Sequence, residues 1–180
     1  MIIGLTGTFA SGKDTVAEYL EKRGFEHFSL SDEIRKIASE RKIITTRDNL
    51  RELGNTLRNE FGADYLPKRV LKRAKGKKIL ISSIRQPAEI NYLKKRGNFV
   101  LIAVDAPIEI RFKRLKRRSR SGDPKTLRGL IEKEKKEMQS KGKNVQKLHE
   151  CMLRADYIVV NDGNFNELYK EVDRVLSKRT

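Results

Sequence analysis

The chain has 180 residues, enough for one domain with a small inserted lid. Hydrophobic residues make up 37% and charged residues 36%, with a formal net charge of +17, so a core can form and the surface should attract anions: nucleotides, phosphates, coenzymes or nucleic acid. No run approaches the roughly 18 apolar residues of a membrane span, the N-terminus lacks a signal-peptide pattern, and the lone Cys151 excludes an internal disulfide, all of which fits a reducing cytoplasm.

Met1–Thr6 is a short β-rich run ending at a glycine turn and reads as a buried strand. Lys13–Lys22 follows, with Val16, Ala17 and Leu20 at helical spacing and Gly24 as its stop. Phe25–Leu30 reads as a second strand, and Ser31 as the N-cap of a helix over Asp32–Arg41. Thr45 and Asp48 form a candidate capping box for a helix near Arg47–Phe61, and a further helical stretch runs from about Asp64 to Ala74. Lys78–Ile81 is a third strand, and Pro87 suits the first turn of the next helix. Phe99–Val104 is a fourth strand, after which Pro107 opens a helix that runs into a very basic stretch. The turn cluster Ser121-Gly122-Asp123-Pro124 precedes a charged helix from about Lys125. Tyr157–Val160 is a fifth strand, and Asn161-Asp162-Gly163-Asn164 turns into a last helix. Strands alternating with helices predict an α/β fold, a parallel sheet covered on both faces.

Gly7-x-x-x-x-Gly12-Lys13 falls directly between a strand and a helix. In that setting the glycines let the backbone wrap a phosphate chain with its amides pointing inward, and the helix N-terminus adds partial positive charge. Gly7, Thr8, Ala10, Ser11, Gly12, Lys13, Asp14 and Thr15 are therefore candidate ATP-binding positions, with Lys13 neutralising the β- and γ-phosphates. Asp14 stands where this motif usually carries a Ser or Thr that touches Mg²⁺. Either its carboxylate approaches the metal, directly or through water, or it is only an acidic residue favoured by a first helical turn.

Gly4-Leu5-Thr6-Gly7-x-x-x-Ser11-Gly12-Lys13-Asp14-Thr15-Val16 resembles the start of the dephospho-CoA kinases and related nucleoside monophosphate kinases. Ser31-Asp32, Ser83-Ile84-Arg85, Val104-Asp105-Ala106-Pro107, Arg114-Leu115, Arg118, Ala155-Asp156-Tyr157-Ile158 and Asn161-Asp162-Gly163 agree in order. The chain is most similar to an archaeal branch described as dephospho-CoA kinase-like or adenylate kinase-related. The resemblance implies a P-loop NTPase three-layer fold with sheet order 2-3-1-4-5 over the whole chain. It also implies an acceptor-binding helical region at about 31–75 and a helical lid at about 111–140. The implied activity is phosphoryl transfer from ATP, with Mg²⁺, to a small phosphorylated nucleotide-like acceptor, dephospho-CoA ahead of a (deoxy)nucleoside monophosphate. Relatives often carry an acidic residue at the end of strand three, where this chain has Ser82.

Asp32 follows strand two at the mouth of the sheet, where α/β folds bind ligands. The resemblance points the matching aspartate at the acceptor hydroxyl or the metal; the other reading is a capping residue beside Ser31. Arg35, Arg58 and Arg85 are candidates to hold an acceptor phosphate by bidentate hydrogen bonds, or else solvated surface residues. Arg111–Arg120 holds seven basic residues in ten, with Arg111, Arg114 and Arg118 on one helical face. That stretch is either a solvated or nucleic-acid-facing surface or, as the match at Arg114 and Arg118 implies, a lid over the transferring phosphoryl group. The expected catalytic set is Lys13, Asp32 and Arg118. Asn161 and Gly163 sit in a strong turn that the resemblance places against the adenine. His27, His149 and Cys151 lack metal-ligand spacing and read as structural. A second reading, from the net charge and the cluster Lys68–Lys78, is an ATP-binding P-loop ATPase associated with RNA or the ribosome, although no stacking-aromatic RNA module is evident in the sequence.

Overall fold

The computed structural model describes residues 1–118, 122–138 and 145–178; Arg120, the last residue of the basic stretch read as a candidate lid, lies outside them. Among the described residues are five strands, β1 (Ile2–Gly7), β2 (Glu26–Ser29), β3 (Ile79–Ser82), β4 (Phe99–Asp105) and β5 (Tyr157–Val160). The helices are α1 (Lys13–Glu21), α2 (Leu30–Glu40), α3 (Arg47–Phe61), α4 (Tyr65–Leu71), α5 (Pro87–Lys94), α6 (Ile108–Arg118), α7 (Leu127–Met138), α8 (Leu148–Leu153) and α9 (Phe165–Ser177).

All strand pairs are parallel and the order is β2-β3-β1-β4-β5. The central strand β1 is buried at every position, as expected when helices cover both faces, and its one polar side chain, Thr6, donates to Ile84 O at 2.9 Å. One core layer joins Leu30, Ile34, Leu57, Leu66, Ile81, Ile90 and Leu101. The other joins Ile3, Leu5, Val16, Leu20, Leu80, Val104, Leu168 and Val172, on the side of α1 and α9. Because every strand runs the same way, Ser29 pairs with Ser82, Gly7 with Val104, and Asp105 with Val160, so the loops that follow them gather at one edge.

Two helix starts differ from the sequence reading. Ser29, not Ser31, caps α2, accepting from the Asp32 amide at 3.2 Å, and Thr46, not Thr45, caps α3 through the Asn49 amide at 3.2 Å. Both caps have the extended backbone that aims a hydroxyl at an amide three residues on. The short helix α8 was not anticipated; it buries Leu148 and Cys151 and packs on β1, and burial pushes the Cys151 thiol pKa well up. No helix of the described residues is long and apolar enough to cross a membrane.

Candidate active site

The phosphate loop leaves β1 at Gly7 and enters α1 after Gly12. Both glycines have physical causes. Gly7 has φ 140 and a Cβ there would lie 2.0 Å from the Val104 carbonyl oxygen; Gly12 has φ 101 and a Cβ would lie 2.1 Å from Asn161 Nδ2. Buried hydroxyls fix the loop between them. Ser11 Oγ donates to Thr8 O at 3.0 Å, and Thr8 Oγ1 donates to Asp105 Oδ1 at the end of β4. Ala10 takes a left-handed φ of 56. Unlike α2, α3 and α9, α1 has no side-chain cap at its N-terminus. Lys13 curls back, donating from Nζ to Gly7 O at 2.9 Å, Thr8 O at 2.5 Å and Ser11 Oγ at 3.3 Å. An uncapped helix end and an ammonium inside a tight loop together fit a polyphosphate.

Metal ligands are sparse. No group of three or more His, Cys, Asp or Glu able to hold a cation exists among the described residues. Mg²⁺ beside a nucleotide needs only one or two carboxylates plus phosphate and water oxygens, and the exposed Asp14 next to Thr15 fits that role. Ser82 does not: it is buried and shares a hydrogen bond of 2.8 Å with His27 Nε2, while His27 Nδ1 lies 3.1 Å from Glu21 Oε1. His27 thereby ties β2 to β3 and to the end of α1.

Arg114 and Asn161 brace the loop from outside. Arg114 donates from Nη1 to Ser11 O at 3.3 Å and from Nη2 to Asn161 O and Oδ1 at 3.0 and 3.1 Å. Asn161 Nδ2 donates to Ser11 O at 2.8 Å. Burial pulls the Arg114 pKa below its ordinary value. Gly163 is exposed just before the N-cap of α9.

Helices α6 and α7 rest on the loop through a small cluster of Phe9, Leu115 and Leu130. Arg111 is buried there rather than facing a ligand: it donates from Nε to Ala106 O at 2.7 Å and pairs with Glu134, whose carboxylate also accepts from the Phe9 amide at 3.4 Å. Arg118 stays at the surface of the cluster, forked onto Asp123 at 2.7 and 2.9 Å. The Phe9 ring carries two guanidiniums, Arg47 at 3.5 Å and Arg118 at 5.7 Å from its centroid.

Beside this loop opens a cleft of about 360 Å³. Six cations line it, Arg35, Arg47, Arg51, Arg85, Arg118 and Lys133, against two carboxylates, Asp48 and Asp123. Arg35 and Arg85, the acceptor-phosphate candidates, thus line the same cleft as Arg118, the candidate lid arginine. Asp32 stands beside the cleft, its side chain 68% exposed and paired with Arg35 at 2.5 Å. Arg58 is a correction. It is 1% exposed and donates from Nε and Nη2 to Glu89 Oε1 at 3.0 and 2.8 Å. Its face of α3 also carries Leu53 and Leu57 and is turned into the core, so Arg58 cannot meet an acceptor. Its effect on the site is indirect, because Glu89 Oε2 accepts from the Arg85 and Gln86 amides at 3.0 and 3.1 Å. The sequence reading missed Arg47, Arg51, Lys133, Glu134 and the loop-holding role of Asp105; only the last had a signal, the Val-Asp-Ala-Pro run after strand four.

A family described as an AAA domain matches residues 3–142. A UPF0200 protein of Pyrococcus horikoshii is 33% identical over 186 residues, covering 99% of this chain and 97% of its own length. Another, from Thermococcus gammatolerans, is 31% identical with 99% and 95% covered. Among solved structures, TT1252 from Thermus thermophilus has a TM-score of 0.61 at 22% identity over 100% of this chain and 98% of its own. Shikimate kinase from Aquifex aeolicus has a TM-score of 0.60 at 18% identity over 99% and 97%. At such identities these two show the fold, that of P-loop kinases.

Proposed function

The chain belongs to the UPF0200 family and carries the AAA domain, and from that premise we propose that it is an ATP-dependent kinase acting on a small phosphorylated, nucleotide-like acceptor, dephospho-CoA ahead of a nucleoside monophosphate. One observation carries this reading: the cationic cleft adjoins the phosphate loop, since Arg47 and Arg118 both line the cleft and both lie over the ring of the loop's Phe9. Phosphoryl transfer is mostly positioning and electrostatics, and needs a donor site and an anionic acceptor site side by side.

In this proposal Lys13 exchanges its carbonyl contacts for β- and γ-phosphate oxygens, and the amides at the uncapped start of α1 hold the chain. Asp14 would hold Mg²⁺ directly or through water, and the metal when bound would supply positive charge against the phosphates. Arg35 and Arg85 hold the acceptor phosphate, and Asp32 orients the acceptor hydroxyl or takes its proton. Arg118, aimed by Asp123, faces the charge that develops on the transferred group. Arg114, Asn161 and Gly163 border the base. Six cations against two carboxylates favour an acceptor with its own phosphate over a free sugar or a protein hydroxyl.

The test is to incubate the chain with ATP and Mg²⁺ and, separately, dephospho-CoA, each ribo- and deoxyribonucleoside monophosphate, and shikimate as a fold-matched control, and to quantify product. Transfer to a phosphorylated acceptor is expected. ATP binding without transfer to any of them would refute the proposal.

A further inference from the structure

A second groove, of about 820 Å³, lies at the other end of the sheet. Its wall includes Ile2, the first residue of β1, whereas the phosphate loop follows Gly7. Five strand steps of about 3.3 Å put about 16 Å between them, so the groove is separate from the transfer site. Four cations line it, Lys68, Arg69 and Lys72 from the α4 segment and Arg96 just past α5, together with Tyr65 and Tyr92 and no carboxylate.

Local acids do not cancel this charge. Asp64 pairs with Lys68 at 2.8 Å, and the single carboxylate of Glu33 is shared by Arg69 and Arg73. Lys72 and Arg96 have no ion pair among the described residues. From 64 to 78 the chain carries seven cations and one acid. Aromatic rings are interleaved with them. The Tyr92 ring has Arg96 Cζ at 4.7 Å and Lys68 Nζ at 5.6 Å from its centroid. Phe61 stacks on Tyr65 with centroids 4.7 Å apart and is itself 45% exposed. The platform is rigid, because Leu66, Val70, Ile90 and Leu93 root α4 and α5 in the core.

We propose that this groove binds single-stranded nucleic acid, its cations tracking phosphates and its rings stacking on unpaired bases. A purely electrostatic surface would need no rings at its floor, and a duplex keeps its bases stacked within itself, so the interleaving selects a single strand. Cation–π contacts already formed at Tyr92 leave its ring and two positive charges within reach of one nucleotide. The site stands independently of phosphoryl transfer.

Fluorescence anisotropy of the full chain tests it, with a fluorescein-labelled 12-nucleotide RNA, the same sequence as single-stranded DNA, and the RNA as a duplex. Tighter binding of either single strand than of the duplex is expected, and the RNA and DNA arms identify which strand is preferred. The pair Lys72→Glu with Arg96→Glu should weaken binding about tenfold or more, and Tyr92→Leu about fivefold or more. The control pair Lys22→Glu with Lys170→Glu makes the same charge change at exposed positions elsewhere and should cost clearly less. Circular dichroism melting verifies that each variant folds; if Tyr92→Leu does not, the charge-reversal pair still decides against its control. Equal losses in the two pairs, or a duplex bound as tightly as the single strands, would overturn the proposal while leaving ATP turnover untouched.

Discussion

Replacing Arg58 separates a structural arginine from a ligand-binding one. Its two hydrogen bonds to Glu89, at 3.0 and 2.8 Å, join groups that are 1% and 0% exposed. Arg58→Ala would strand the Glu89 carboxylate in the core, which costs about 3–5 kcal/mol. In a chain of this size each kcal/mol shifts Tm by about 2–4 °C, so thermal unfolding should drop by about 6–20 °C. Glu89 would keep its bonds to the Arg85 and Gln86 amides, so the acceptor side should remain assembled below that temperature. Adding Glu89→Gln to an Arg58→Met background removes the stranded charge and should recover part of the loss, the coupling being read from the double-mutant cycle. The assays are thermal melts followed by circular dichroism, with transfer kinetics measured on folded protein at low temperature. An Arg58→Ala chain that melts within about 2 °C of the parent but has its acceptor KM raised about tenfold would refute the burial argument and return Arg58 to the acceptor site.

Lys13→Ala should abolish ATP turnover with the fold intact; normal transfer by the folded variant would dismiss the phosphate-loop assignment. Arg118→Ala should lower kcat by about 100-fold or more with a smaller change in ATP affinity, because its charge acts on the transition state; a loss confined to nucleotide affinity would deny it that role. Asp32→Asn should keep ATP binding and lose transfer, and unchanged transfer would reduce Asp32 to a first-turn acid paired with Arg35. Burial alone would raise the Glu33 pKa, but hydrogen bonds from Arg73 and Arg69 prevail and hold it below the usual carboxylate range. Its folded-state pKa is depressed, so its contribution is present above the unfolded value of about 4.3 and is lost as pH falls through the folded value. Urea titrations should find Glu33→Gln less stable than the parent at neutral pH and the gap closing in acid; a gap that widens in acid would contradict that sign.

The fold was legible because its signals are local. Val16, Ala17 and Leu20 mark the inner face of α1, and α3 was read near Arg47–Phe61 from the hydroxyl and acid at its start, while Gly62, at φ 101, is what ends the helix. The phosphate loop was legible for the same reason, since both glycines answer to backbone geometry within one turn. The arginines were not. Arg35, Arg58 and Arg85 look alike in sequence, and what sorts them is a partner far along the chain: Glu89 stands 31 positions from Arg58, and Gln146 stands 61 from Arg85. Glu134 was hidden in the same way, as one acid in a charged helix until α7 folded onto Phe9. Cap positions slipped by one or two residues because several hydroxyls precede each helix and only backbone angle chooses among them.

The single thiol on the buried face of α8 makes the molecule its own reporter. Cys151 is fully buried and resists ionisation, so a native population should ignore a thiol-specific dye until α8 lifts from β1 or the whole chain opens. Labelling rate against dye concentration would then measure an opening equilibrium, as hydrogen exchange does for amides. The same silence leaves the surface vacant for probes. A cysteine introduced in place of an exposed residue such as Lys125 would take a fluorophore alone, and movement of the segment between α6 and α7 could be followed without removing the native cysteine.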